Sequence, residues 1–570
     1  MTSAVANDPR FWGLIIREAW RRTRRRLRQG PLHHWRYAGR APERVLVAPP
    51  DLRLADPQIA LDIYHGRFPL AGHVVETSGN SPFQLAVTHR NWNEALHSFR
   101  WLRHMRSAGT ELAAANARAL VSDWMILHGR RVHGLAWEPQ IVASRVISWL
   151  QHSSVVLKDA DYEFYRSFLK SLAAQIRYLR SVAREMPDGE GRLRARIAMA
   201  FAALALPNNP AALRTASRNL GEELDRQILP DGGHVSRNPA ALVEILTDLL
   251  PLKQTYAHQS EQPPASLINA IDRMLPALRF FRHGDGSLAR FNGMSATVHD
   301  RIAAILHHDD SSGSFMLHMP HAGYERLAQG QTVVIADTGV TPSIDLSKDA
   351  HAGCLSFELS SGINQFVVNC GIDEFGSNDF RNLARMTAAH STATVHDTSS
   401  ARFTFGLTDR IRAFLGTPVL AGPRKVDCTR IDDAETQSFV ANHDGYLAPF
   451  GMIHERAMTL SANGTQLEGI DRFYAPGGFG IEPSAHDDLV IRFHLHPAVK
   501  LYRDSDGLLV LIADEHEGWT FISDGVRPHI EESVFFASPA GPQACKQIVL
   551  SVRASEQQEV HWRFLKRRLR

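Results

Sequence analysis

The chain has 570 residues, 44% hydrophobic and 22% charged, with a net charge of +3. That length exceeds one ordinary core, so two or more domains are expected in a soluble globular composition. The four cysteines, Cys354, Cys370, Cys428 and Cys545, form no CxxC pair, which excludes a zinc ribbon or a dithiol redox motif and predicts free, buried thiols.

The charge is uneven. Residues 1–30 hold eight arginines against Asp8 and Glu18, so the remainder of the chain is mildly acidic. "DPRFWGLIIREAWRRTRRRLRQGP" reads as one helix with Phe11, Leu14, Ile15 and Trp20 as its apolar stripe. Two readings stay open: a helix on a membrane surface or polyanion, or a helix packed on the body with solvated arginines. The tail "HWRFLKRRLR" repeats the pattern, so the two ends are expected to form one basic patch. Their aromatic residues sit at core spacing, and nucleic-acid binding is not expected. No stretch reaches the roughly 20 apolar residues that span a bilayer. "FWGLII" is too short for a signal-peptide core and is followed, not preceded, by arginines. A cytoplasmic location is expected, with the periplasm or cell envelope as the alternative.

Residues 43–82 are rich in proline and glycine and predict irregular structure with a few short strands. From Trp92 to Leu306 helix follows helix, from "NEALHSFRWLRHMRSAG" to "SLINAIDRMLPALRFFRHG", in the manner of stacked helical hairpins. After about residue 325 the texture changes to short alternating strands such as "TVVIADTG", "CLSFELSSG" and "LVIRFHLHPAVKLYR", which predict a large antiparallel β-sandwich. The expected division is a basic helix and linker over 1–42, a helical domain over 43–320 and the sandwich over 321–570.

Four clusters carry candidate chemistry. In "DGGHVSRNPAAL" Gly232 and Gly233 break the helical texture and Pro239 suits a first helical turn, so a loop places His234, Arg237 and Asn238 beside a helix start. "FRHGDGSLARFNG" is a second such loop, with Arg282, His283 and Asn292. "KDAHAGCLSFELSSG" sets His351 before a strand, and "VNCG…RMTAAHSTATVHDTSS" sets Asn369 after one strand and His390 before another. His351, Asn369 and His390 make a candidate metal set of two imidazoles and one oxygen ligand. The sequence has no GxSxG elbow, P-loop or HExxH.

Helical hairpins followed by a large sandwich, with "LPDGGHVSRNP", "HAGCLSFELSSG" and "AHSTATVHD", resemble the heparinase II/III-like polysaccharide lyases. "YHGRFPLAGH" and "LHSFRWLRHM" resemble that family's N-terminal region, so the likeness runs over nearly the whole chain. It implies an (α/α) toroid of helical hairpins followed by an antiparallel β-sandwich, the two gripping an acidic, uronate-containing polysaccharide that is cleaved by β-elimination. Such a reaction needs a group to neutralise the uronate carboxylate, a base for the C5 proton and an acid for the leaving oxygen. The likeness also implies one divalent metal, zinc or calcium, held in the sandwich by His351, Asn369 and His390.

The chain departs from the family at several of these points. Where the loop after the DG pair runs on to a tyrosine in the family, "NPAAL" stands here. Gly191 and Arg192 stand where the family's Asn-His pair falls, and Asn369 replaces the metal aspartate. Arg192, Arg237 or Arg282 is left to neutralise a carboxylate, and His234 or His283 to act as base. His234 as base and Arg237 as clamp are preferred, with Asn238, Arg282 and Asn292 on substrate. A lyase acting on an acidic polysaccharide is the leading expectation; the missing residues favour the rival reading, a non-catalytic member that binds an anionic glycan or envelope polymer, while the retained polar loops argue against that rival.

Overall fold

A computed structural model describes residues 8–29, 37–207, 210–309, 315–404, 407–514 and 517–568. Residues 30–36 of the predicted N-terminal linker lie outside that set.

The helical half is built from side chains that start and stop helices locally. Thr110 accepts from the N–H of Ala113 and Asp161 from that of Phe164, capping the helices Glu111–Leu127 and Tyr162–Val182. Between Pro57 and Leu306 the helices stack one on the next around a single core. Trp92, Trp101, Trp124, Trp137 and Trp149 are fully buried there. Arg145 is buried with them, its guanidinium 4.0 Å from the Trp124 ring and bonded to Gln175 and the His97 carbonyl. This is the helical toroid that the sequence predicts. Residues 43–82 hold a helix, Pro57–Tyr64, and one hairpin, Arg67–Leu70 with His73–Glu76.

From His318 onward the chain forms two large antiparallel sheets, one of nine strands and one of eight, and a small ladder of Arg402–Phe403 with Val419–Ala421. Strict alternation makes them amphipathic: Ile453–Ser461 buries every second residue. The buried faces meet in one core, where Phe357 of the larger sheet stacks on Trp562 of the smaller at 5.4 Å. All four cysteines are free, and all but Cys428 are buried.

Two predictions about the chain ends separate. The N-terminal helix, Pro9–Gln29, packs Phe11 and Leu14 against Leu415 and Leu420 of the sandwich. Its arginines also dock: Arg21 pairs with Asp345 at 3.1 Å and Arg22 lies over the Phe414 ring. The tail is not a second such segment. Glu559–Arg568 is a strand inside the eight-stranded sheet, between Gln466–Tyr474 and Glu517–Ser523, with Trp562 and Phe564 in the core. Period-two burial explains its aromatic spacing, and the helix docks on residues 344–345 and 411–420 instead.

Candidate functional site

The two polar loops named from sequence lie where the toroid meets the sandwich. Asp231 opens the first: one carboxylate oxygen accepts from Gly233 N–H and the other from the N–H groups of His321 and Ala322, at 2.8 Å each. Gly232 has φ +83°, and a Cβ there would stand 2.0 Å from the Arg273 carbonyl oxygen, so only glycine fits. Asn238 caps the helix Pro239–His258 by accepting from Ala240 N–H, with Pro239 in the first turn as expected.

The histidine and arginine of this loop face inward. His234 is 2% exposed, with Nδ1 on Ser236 Oγ at 2.7 Å and Nε2 on Gln227 Oε1 at 3.0 Å. Burial pushes its pKa down to about 4, so the imidazole is neutral but both nitrogens are engaged. Arg237 sits at φ +60° and sends its side chain into the sandwich. Nε donates to Ala322 O, Nη1 to Gly339 O and Val340 O, and Nη2 to Gly323 O and to the Asp337 carboxylate. All five guanidinium donors are thereby consumed, and none remains for a substrate carboxylate.

The second loop behaves alike. Asn292 donates to Tyr324 Oη at 2.8 Å and Asp337 at 3.2 Å and accepts from the His351 N–H. His283 binds Ser360 through Nδ1 and Glu358 through Nε2, and Arg290 shares that buried carboxylate. The half-buried Arg282 gives its carbonyl to Arg326. Arg192 is a helix-to-helix tie, 2.9 Å from Glu223 and 3.1 Å from Asp188. The residues expected to work on substrate are therefore brought together chiefly as the cement between domains.

His351, Asn369 and His390 do converge. His390 Nδ1 must donate to the Met386 carbonyl, 2.8 Å away, which leaves Nε2 as a lone pair. That lone pair receives His351 Nδ1–H at 2.9 Å. Asn369 Oδ1 accepts from the N–H of Ser391, next to His390. Gly353 makes room, since a Cβ there would come within 2.7 Å of the His390 ring. Burial holds His390 at about 4, and burial and then His390 hold His351 well below the usual imidazole range. The set is neutral, and among the described residues no group of three or more His, Cys, Asp or Glu side chains could hold a metal. Beside the pair, His351 Nε2 and Asn369 Nδ2 are buried without a hydrogen-bond partner among the described residues, and the Glu358 carboxylate accepts from the Asn369 N–H.

A second polar cluster lies on the toroid wall that faces the sandwich, with Arg100 and Glu244 partly exposed. Glu244 takes three arginines, Arg301 at 2.6 Å, Arg194 at 3.0 Å and Arg100 at 3.4 Å. One turn on, Asp248 takes Arg53 at 2.7 Å and Arg194 at 3.3 Å. Burial alone would raise the Glu244 carboxyl, yet its arginines hold it well below the usual range. Arg100 carries the complementary strain: burial, then Arg53 and Arg194, pull its pKa down to about 9 against the pull of Glu244 and Asp248. Glu190 stands at the first position of the helix Glu190–Ala205, among Arg194, Glu244, Asp349 and Arg100, and its burial lifts it to about 7. Sequence reading missed this cluster. Its signal was present: Glu244 and Asp248 are two carboxylates four apart on the otherwise apolar "PAALVEILTDLL".

The relatives agree with the fold. Residues 313–563 match the family described as heparinase II/III-like, C-terminal. Heparinase III superposes with a TM-score of 0.71 at 15% identity, covering 94% of this chain and 88% of that one. A mutant of heparan sulfate lyase HepC from Pedobacter heparinus gives 0.63 at 17% identity, covering 94% and 87%. The chain belongs to the heparinase II/III-like family, with its toroid and β-sandwich. Among curated proteins it is similar to FtsZ-localized protein C of Caulobacter vibrioides (strain NA1000 / CB15N), 31% identical over 551 residues, 94% of this chain and 92% of that protein.

Proposed function

We propose that the protein holds an acidic polysaccharide in the cleft between toroid and sandwich without cleaving it. The observation that carries this reading is Arg100. Among the described residues its guanidinium makes one loose contact, 3.4 Å to Glu244, and it is burdened by the neighbouring arginines, so an incoming anion relieves it. The imidazoles that a lyase would use as bases, His234 and His283, have both nitrogens engaged. The test incubates the protein with heparin, alginate and polygalacturonate and follows both ultraviolet absorbance from unsaturated uronate and melting temperature. Stabilisation by an acidic polymer with no absorbance rise is expected. A rise that vanishes in His234→Ala would establish the lyase reading in its place.

A second reading concerns the N-terminal helix. Beside the face that docks, Trp12, Ile16, Trp20 and Leu27 form an exposed apolar stripe, 54–69% accessible, at spacings of four, four and seven. Arginines flank it. That combination suits a helix lying in an anionic membrane surface, and this peripheral contact is the second part of the proposal. The name FtsZ-localized, borne by the 31% identical relative, makes a cytoplasmic site at FtsZ the location to test first, with a fluorescent fusion.

A further inference from the structure

Away from the cleft and the seam, two histidines meet on the outside of the sandwich. His396 follows the strand Ala393–Val395, and His486 precedes the strand Asp488–Leu495, which pairs with it. His396 Nε2 stands 3.1 Å from His486 Nδ1, with the rings inclined at 70°. Both imidazoles are exposed, unlike the sealed pair His351 and His390. Each is held from its own side. The His396 N–H donates to the Asp488 carbonyl at 2.7 Å, and the backbone at His396 and Asp397 is left-handed, φ +47° and +49°, which is uncommon outside glycine. Next to His486, the buried Asp487 carboxylate takes Arg553 at 2.7 Å and Ser555, and the His486 N–H donates to Ser484 Oγ. The Asp488 carboxylate lies 3.7 Å from His396 Nδ1. Its charge favours the N–H at Nδ1 and leaves Nε2 as a lone pair.

We propose that His396 Nε2 and His486 Nδ1 together bind one divalent transition ion, zinc foremost. Two nitrogens on a tetrahedral zinc stand about 3.3–3.4 Å apart, so the pair closes on the ion by opening about 0.2–0.3 Å. Imidazoles select zinc, nickel and copper over calcium and magnesium. The proton on His486 Nδ1 passes to its Nε2 by tautomerisation, so both facing nitrogens offer lone pairs and no net proton is lost. Asp488 stands behind His396 as the carboxylate that raises the basicity of a ligating imidazole. Among the described residues no third His, Cys, Asp or Glu side chain completes the set, so water fills the remaining positions and the ion exchanges with solvent.

Zinc chloride titrated calorimetrically into the full chain at neutral pH, after dialysis against EDTA and then chelator-free buffer, tests the site. The expected result is one zinc per chain above any weaker background from other histidines, with no heat from calcium at the same concentration. His396→Ala and His486→Ala should each lose that zinc, and Asp488→Asn should weaken it by roughly tenfold. Equal melting temperatures of metal-free parent and variants show that these exposed substitutions leave the fold intact. Where an alanine variant melts lower, His396→Gln and His486→Gln take its place in the same titration. Undiminished uptake in both histidine variants, equal binding of calcium, or no uptake by the parent overturns the site.

Discussion

The seam around Arg237 and the cleft around Glu190 are both polar, both rich in arginine, and both lie where the two domains meet. At the seam, five donors of one guanidinium find five acceptors drawn from residues 322–340. In the cleft, charges outnumber good contacts: Glu244 is shared by three arginines, Arg100 is loosely held, and the Glu190 carboxyl has no hydrogen bond or ion pair among the described residues. Satisfied polar networks stiffen a structure, whereas unsatisfied ones cost stability and favour anything that completes them. The contrast separates what holds the domains together from what remains available to a ligand.

The largest effect is expected from acid, acting on imidazoles sealed on either side of the seam. His234 and His390 fall to about 4 in the fold against 6.5 in the open chain, both through burial. Between those values the unfolded chain binds more protons, so stability is complete above about pH 7 and is lost as pH falls through the window. The loss is on the order of 3 kcal/mol per histidine. Denaturant titrations at pH 7, 5.5 and 4 measure it, and a flat profile would show that these imidazoles are not sealed. Next in size, Arg237→Ala strands the Asp337 carboxylate and four carbonyl oxygens, and is expected to destabilise by about 3–5 kcal/mol. A loss under about 1 kcal/mol would mean that water replaces the guanidinium, and the seam would then resemble the cleft.

Glu244→Gln sharpens the cleft side. Freeing three arginines should cost about 1–3 kcal/mol in unfolding free energy while tightening heparin binding several-fold. Weaker binding would show that Glu244 positions the arginines rather than competing with the ligand. Smaller again is the peripheral helix. Replacing Trp12 and Trp20 together by Glu should lower partitioning to vesicles containing anionic lipid by roughly tenfold or more, with melting temperature unchanged. Unchanged vesicle binding would assign the helix to packing alone. The smallest effect is expected from chelation: dialysis against EDTA should leave melting temperature within error, because the His351–His390 pair is a neutral hydrogen bond. Stoichiometric zinc or calcium by elemental analysis would reverse that prediction.

Much of this was legible in the chain. Helix periods over Trp92–Leu306, alternation after residue 325 and the stop at "DGGHVSRNP" are local properties, and the helix does begin at Pro239 under an Asn238 cap. The tail misled because period two and period three-to-four agree over a few residues. Only its pairing with Gln466–Tyr474 and Glu517–Ser523 makes it a strand.

Which polar residues do chemistry was not legible, for a physical reason. The sequence itself determined where helices, turns and strands lie, because backbone propensity, capping and burial period act over a few residues. Whether a guanidinium is free depends on acceptors about 100 residues away, as with Arg237 and Asp337. A carboxyl near neutrality needs burial and neighbours brought from three other elements, as at Glu190. Those were decided only when the toroid and the sandwich closed on each other, since desolvation and charge pairing are properties of an assembled site rather than of a stretch of chain.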